Sequence, residues 1–188
     1  MTDPVAISDL PAQDGGLGFR DVATVTSDGI PVGPTIAGVV VHRPVHHHDH
    51  RGTLFEIANG DPLQWSEPIV WCYQTSVRPR QIKGWARHEV KVDRYCLTSG
   101  ELMVLLHDDR DGSPTRGVTM RVMLAPDADR QVVIPVGVWH MIINLRDEDA
   151  QLINFPTEPY HHDRPDRILL PWDTDELPVD VRSYLPKF

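Results

Sequence analysis

The feature that most constrains this chain is its punctuation. Short β-branched and apolar runs are each closed, within a few residues, by turn formers, and the seventeen prolines and thirteen glycines fall between them. Proline and glycine break helices, whereas short runs bounded by turn residues are what an antiparallel sheet protein needs. Candidate strands cover 36–42, 53–57, 68–76, 94–99, 101–107, 118–124, 131–135, 138–145 and 151–155. With no sustained helical period between them, the expected fold class is all-β, a β-sandwich or jelly roll. A short helix is expected at 175–184.

At 188 residues the chain suits one domain with a sizeable core. We divide it into an irregular N-terminal arm over 1–34, a jelly roll over 35–172 and a C-terminal extension over 173–188. No apolar run approaches the roughly 20 residues of a membrane helix. The start, Met1-Thr2-Asp3-Pro4, lacks the basic and apolar regions of a signal peptide, so a cytoplasmic protein is expected. Cys72 and Cys96 fall inside expected strands and read as reduced core thiols. The net charge of −9 argues against nucleic acid or an anionic membrane as partner. It leaves room for a small phosphorylated ligand held by a few converging arginines.

Two stretches carry candidate chemistry. The run His46-His47-His48-Asp49-His50 invites a metal reading, because imidazole is a common ligand. Consecutive histidines point in diverging directions, however, and the run reads as a polar loop. The second stretch runs from Gln81 to Asn144 and places a histidine segment on either side of a hairpin. Its end, with Pro135, Gly137, His140 and Asn144, resembles the second motif of the cupin superfamily. The first cupin motif is half present. Ala86-Arg87-His88, Asp93 and Gly100 stand where metal-binding cupins carry His-x-His, then glutamate, then glycine. His88, Asp93 and His140 together suit zinc or iron, which makes a metal-dependent cupin enzyme the alternative reading.

A second resemblance spans about Ile36 to Trp172. Asp49 with Arg51-Gly52-Thr53-Leu54-Phe55-Glu56, and Asp108 with Arg110, Gly112-Ser113-Pro114-Thr115 and Gly117, are similar to signatures of the dTDP-4-dehydrorhamnose 3,5-epimerase family. The Ile134–His140 and Asn154–Tyr160 stretches fall where that family has its lid and tyrosine region. The resemblance implies a cupin-type jelly roll working without metal or other cofactor, as a homodimer, on a dTDP-linked 4-keto-6-deoxy sugar. A proton beside the ketone would leave one face of the ring and return to the other. That chemistry needs a base poised near neutrality, a group to stabilise the enolate oxygen, and an acid opposite.

By the same resemblance His88 is the base and Tyr160 the acid, with Tyr73 the second choice. Arg51, Lys83 and Arg80 would meet the phosphates, Glu56 and Gln74 the nucleotide base, and His140 the cavity wall or the sugar phosphate. Two departures stand out. The family has a lysine near the enolate oxygen where this chain has Asp93, and its catalytic tyrosine aligns with Asn154. Asp93 is therefore read as orienting His88. Their odd offset demands a turn or bulge between them. Lys83, Arg87 and Lys91 are the candidates to replace the missing cation. The departures also leave open a cupin that binds the sugar nucleotide without catalysis.

Overall fold

The computed structural model describes residues 23–28, 31–60, 65 and 67–185. The expected arm lies mostly outside these residues, as does most of the 61–67 loop. Contacts divide the chain into one unit over 1–35 and another over 36–188. The first carries an isolated bridge between Val25 and Pro31.

The second unit is a sandwich of two five-stranded antiparallel sheets. The strands of the first are β1 (Val40–His42), β9 (Gln131–Ile134), β6 (Asp93–Ser99), β11 (Ala150–Asn154) and β4 (Tyr73–Val77), in that spatial order. The second runs β12 (Ile168–Leu169), β5 (Ile82–Arg87), β10 (Val138–Ile143), β7 (Leu102–Asp108) and β8 (Thr119–Leu124). From β4 onward consecutive strands alternate between the two sheets, apart from the β7–β8 hairpin, as a jelly roll requires. Gly100 makes the β6–β7 crossing at φ +73°, with Ala150 so close that a Cβ would lie 2.7 Å from its Cα.

Alternation explains how two cores come from one sandwich. Leu102, Val104, Leu106, Val138 and Ile142 point inward against Leu97, Val132, Ile134 and Leu152 of the facing sheet. Met103, Leu105, Trp139, Met141 and Ile143 point outward, where Leu177 and Val181 of the C-terminal extension cover them. Each such side chain stabilises the fold by about 1.5–3 kcal/mol on burial. The extension is therefore a third layer that closes the outer face of the second sheet. Among the described residues no helix is long and apolar enough to cross a membrane.

Three sequence expectations are corrected. His46–Asp49 is not a loop but strand β2, paired with β3 (Gly52–Phe55) in a separate two-stranded sheet. Register places His46 opposite Phe55, and their rings stack with centroids 5.0 Å apart. Cys72 is exposed and precedes β4, whereas Cys96 is buried. The helix expected at 175–184 shrinks to one 3₁₀ turn, Val181–Tyr184, capped by Asp180. Pro178 lies at the centre of the expected helix, and a proline removes a donor and clashes with the preceding turn.

Candidate active site

The inward face of the sandwich is apolar at one end and polar at the other. At the polar end, His140 comes from β10 of the second sheet and His88 directly follows its β5, while Asp93, Tyr95 and Asn154 come from the first sheet. The separation of His88 from Asp93 is made by a turn at Glu89–Val90, where β5 ends and the chain crosses between sheets. Asp166 ties that turn: its carboxylate accepts from the backbone N–H of Glu89 (2.8 Å), Val90 (3.1 Å) and Lys91 (3.0 Å). Burial alone would raise the Asp166 pKa, yet these three N–H groups hold it below its ordinary value.

The same residue fixes the His88 tautomer. His88 Nδ1 meets the Asp166 carbonyl oxygen, which can only accept, so Nδ1 carries the proton and Nε2 is the basic atom. Nε2 lies 3.2 Å from Asp93 Oδ2. His140 repeats the arrangement: Nδ1 donates to the Val138 carbonyl at 3.1 Å, and Nε2 lies 3.4 Å from the same Oδ2.

Asp93 is the hub. Its Oδ2 accepts from the Tyr95 hydroxyl at 3.1 Å and its Oδ1 from Asn154 Nδ2 at 2.9 Å. Burial pushes this carboxyl up, but His140 and then His88, whose Nε2 atoms donate to it when the imidazoles are protonated, hold it well below the usual carboxylate range. Asn154 Nδ2 also donates to the Tyr73 hydroxyl at 2.9 Å, while its Oδ1 accepts from the Arg94 N–H. Burial, then the Asp93 charge, raises the Tyr73 pKa, and burial raises that of Tyr95 further. Both phenols therefore keep their protons at neutral pH. The cluster is nearly dry: His88 is 5%, His140 3% and Asp93 1% exposed.

Of the residues singled out by sequence, His88, Asp93, His140 and Asn154 are brought together. Tyr160 is placed elsewhere. Its ring lies 6.1 Å from that of Trp71, and the Lys91 ammonium sits 5.9 Å above it. Tyr160 and Lys91 share the wall of a cavity of about 370 Å³ with Arg164, Asp166 and Arg167. Lys83 Nζ donates to Thr75 Oγ1 at 2.9 Å, which joins β5 to β4 on the face that carries Tyr73. Arg51 is exposed at the hairpin turn with Asp49 as its ion-pair partner, and Glu56 is also exposed. Gln74 bonds Gln151 at 2.9 Å, and Arg80 pairs with Asp147 at 2.8 Å.

Sequence reasoning missed Tyr95 and Asp166. Tyr95 had a signal, since it stands two residues beyond Asp93 in one strand and so shares its face. Asp166 had none.

A polar cluster of this kind, at one end of a jelly roll, is shared by many enzymes. The sequence decides among them, because residues 34–186 match the profile of the family described as dTDP-4-dehydrorhamnose 3,5-epimerase. The chain belongs to that family. Membership carries the jelly-roll fold and the class of sugar-nucleotide epimerase. Among its relatives, the probable low-salt glycan biosynthesis epimerase Agl13 of Haloferax volcanii is 30% identical over 148 residues, covering 78% of this chain and 95% of the relative. The spore coat polysaccharide biosynthesis protein SpsL of Bacillus subtilis is 31% identical over 144 residues, covering 76% and 93%. The dTDP sugar isomerase of Desulfovibrio desulfuricans G20 superposes with a TM-score of 0.70 at 26% identity, covering 77% of this chain and 90% of the other. At 22% identity and a TM-score of 0.68, the dTDP-6-deoxy-D-glucose-3,5-epimerase of Legionella pneumophila, solved with dTDP-4-keto-L-rhamnose, shares the epimerase fold over 78% of this chain and 80% of its own.

Proposed function

We propose that this epimerase acts on a dTDP-linked 4-keto-6-deoxy sugar and inverts a carbon beside the ketone. The observation that carries the reading is the bond from His88 Nδ1 to the Asp166 carbonyl, which leaves Nε2 as the proton acceptor. Nε2 takes the proton from carbon, the electron pair moves into the ring, and the carbonyl oxygen becomes an enolate oxygen. The imidazolium so formed has Asp93 beside it as counter-charge. Tyr73, whose phenol holds its proton, is the acid that returns hydrogen to the opposite face. Lys83, held by Thr75 on the Tyr73 face, supplies the cation for the enolate oxygen.

The heavy-water experiment tests this directly. Incubated with dTDP-4-keto-6-deoxyglucose in deuterium oxide, the protein should place solvent deuterium at C3, C5 or both. Exchange no faster than in buffer would sink the proposal for that substrate.

The working form is inferred to be a cytoplasmic homodimer. The β2–β3 hairpin stands as a sheet of only two strands, with Leu54 61% exposed, and it carries Arg51 and Glu56. A second copy would cover it and bring those two residues to a substrate. Sedimentation at micromolar concentration should give twice the monomer mass.

One observation favours a second reading. With both Nδ1 protons on carbonyls, His88 Nε2, His140 Nε2 and an Asp93 oxygen all lie within 4.8 Å of one another, a donor set suited to a divalent ion. Such an ion would polarise the keto oxygen. Near-stoichiometric zinc, iron or manganese in untagged protein would favour this reading over the metal-free one.

A further inference from the structure

The histidine run has no part in the chemistry above, and its surroundings are unlike the rest of this acidic protein. Because β2 is a strand, alternate residues separate: His46 and His48 take one face with Thr53 and Phe55 of β3. That face, with Arg43, Arg130, Thr98 and Asp127, lines a cavity of about 700 Å³. Four planar groups are associated there. The Arg130 guanidinium lies 4.4 Å from the Phe55 ring centre, Phe55 stacks on His46 at 5.0 Å, and His46 stacks on His48 at 5.8 Å.

The two guanidiniums are oriented but not neutralised. Arg130 Nε donates to the Pro126 carbonyl at 2.7 Å and Nη1 to that of Leu97 at 3.4 Å, while Arg43 donates to the Asp127 carbonyl. Neither forms a salt bridge among the described residues. His46 Nε2 is buried and is the one buried side-chain nitrogen or oxygen among them without a hydrogen-bond partner. An orphaned buried polar atom of this kind is costly unless a ligand meets it.

The two arginines of the lining favour an anion as ligand. Burial first, and then the charges of Arg130, His48 and Arg43, lower the His46 pKa, whereas Asp127 opposes them more weakly. A metal ion would meet the same repulsion as a proton, so the histidines do not make a cation site. An anion is drawn in.

We propose that this cavity is a second ligand site that binds the phosphate group of a small phosphorylated sugar, through Arg43, Arg130 and His46. Two guanidiniums that line one space suit phosphate oxygens. The volume exceeds what a bare phosphate fills and falls in the range of small-molecule pockets. The flat faces of Phe55 and His46 offer apolar surface to a sugar ring.

Calorimetric titration tests the site, with the protein held at saturating dTDP so that the nucleotide site cannot take the probe. Inorganic phosphate and glucose 1-phosphate should each bind saturably and compete with one another. Arg130→Met and Arg43→Gln should each weaken both probes by at least about tenfold, and epimerase turnover should stay unchanged. Arg43→Gln guards against a folding defect in the Arg130 variant, because Arg43 bonds only one carbonyl. Absence of saturable binding in the millimolar range, or equal binding by wild type and Arg43→Gln, overturns the proposal. Both outcomes are independent of the sugar exchange assay, so failure of the epimerase reading would show separately.

Discussion

The Asp93 carboxylate lies 3.2 Å from His88 Nε2 although His88 follows β5 of one sheet, Asp93 opens β6 of the other, and the two stand an odd number apart. In an unbroken strand they would face opposite ways. The Glu89–Val90 turn, held by Asp166, and the bond from Val92 N–H to Thr157 Oγ1 at 3.0 Å bring them face to face. The pair therefore exists only because the chain changes sheets between its members.

Asp93→Asn is the direct probe of that pairing. It keeps the volume and one acceptor oxygen but removes the negative charge that would balance a protonated His88. Deuterium exchange into the sugar should fall by about 10²–10⁴, the usual worth of an assisted acid–base step, with the far-ultraviolet spectrum retained. Exchange at the wild-type rate would mean that the carboxylate has no share in the proton transfer.

The two tyrosines make opposite predictions. Tyr73 shares the Asn154 amide with Asp93, and burial and that negative charge keep its phenol protonated. Tyr73→Phe should leave deuterium exchange largely intact, since the base still works, but cut formation of the inverted sugar by about 10²-fold or more. Tyr160→Phe should change both by far less, because Tyr160 packs on Trp71 instead of the cluster. Exchange and product are read in one experiment by proton NMR. Equal loss of both in the Tyr73 variant would count against its role as acid.

Much of this was legible before any coordinates. The strands were visible because proline and glycine cut the chain into pieces too short for helices. His88, Asp93 and His140 are visible because cupin spacing delivers them from strand ends to one space, and Asn154 because the epimerase family's catalytic tyrosine aligns with it. Two kinds of feature were hidden. Asp166 acts through its own backbone carbonyl and through three N–H groups some seventy-five residues earlier, and no local pattern marks such a contact. The histidine run was misread because strand pairing with β3, a tertiary contact, overrode its polar composition. Sequence position favours Tyr160 as the acid, whereas the register of β4 with β11 sets Tyr73 opposite Asn154.

Asp166 should behave as a positioning residue. Asp166→Ala strips the acceptor from three backbone N–H groups but leaves the carbonyl that His88 uses. Loss of about 1–3 kcal/mol of stability is expected, with faster amide hydrogen exchange confined to Glu89, Val90 and Lys91. Turnover should fall more than stability alone explains, because the turn that aims His88 is loosened. Asp166→Asn, with one acceptor oxygen, should recover part of both. Unchanged protection of those three amides would refute the assignment.

The loop after β7 offers a test of acid stability. Asp108 is fully buried, and its carboxylate accepts from Arg110 Nε (2.8 Å) and Nη2 (2.8 Å) and from the hydroxyls of Ser113 (2.6 Å) and Thr115 (2.6 Å). Arg110 foremost, then the two hydroxyls against the opposing effect of burial, holds its pKa far below the unfolded value near 3.9. Between those two values the unfolded chain binds the proton and the folded chain does not, so stability rises with pH. The contribution is complete above about pH 5 and is lost as pH falls below about 4 towards the folded pKa. Asp108→Asn should therefore cost about 2–4 kcal/mol at pH 7, by leaving Arg110 and two hydroxyls short of their acceptor. The gap from wild type should narrow at pH 3, where the wild-type carboxylate begins to lose its advantage. Urea unfolding at the two pH values measures both, and a gap that stayed constant or widened in acid would show that the charge on Asp108 does not hold the loop.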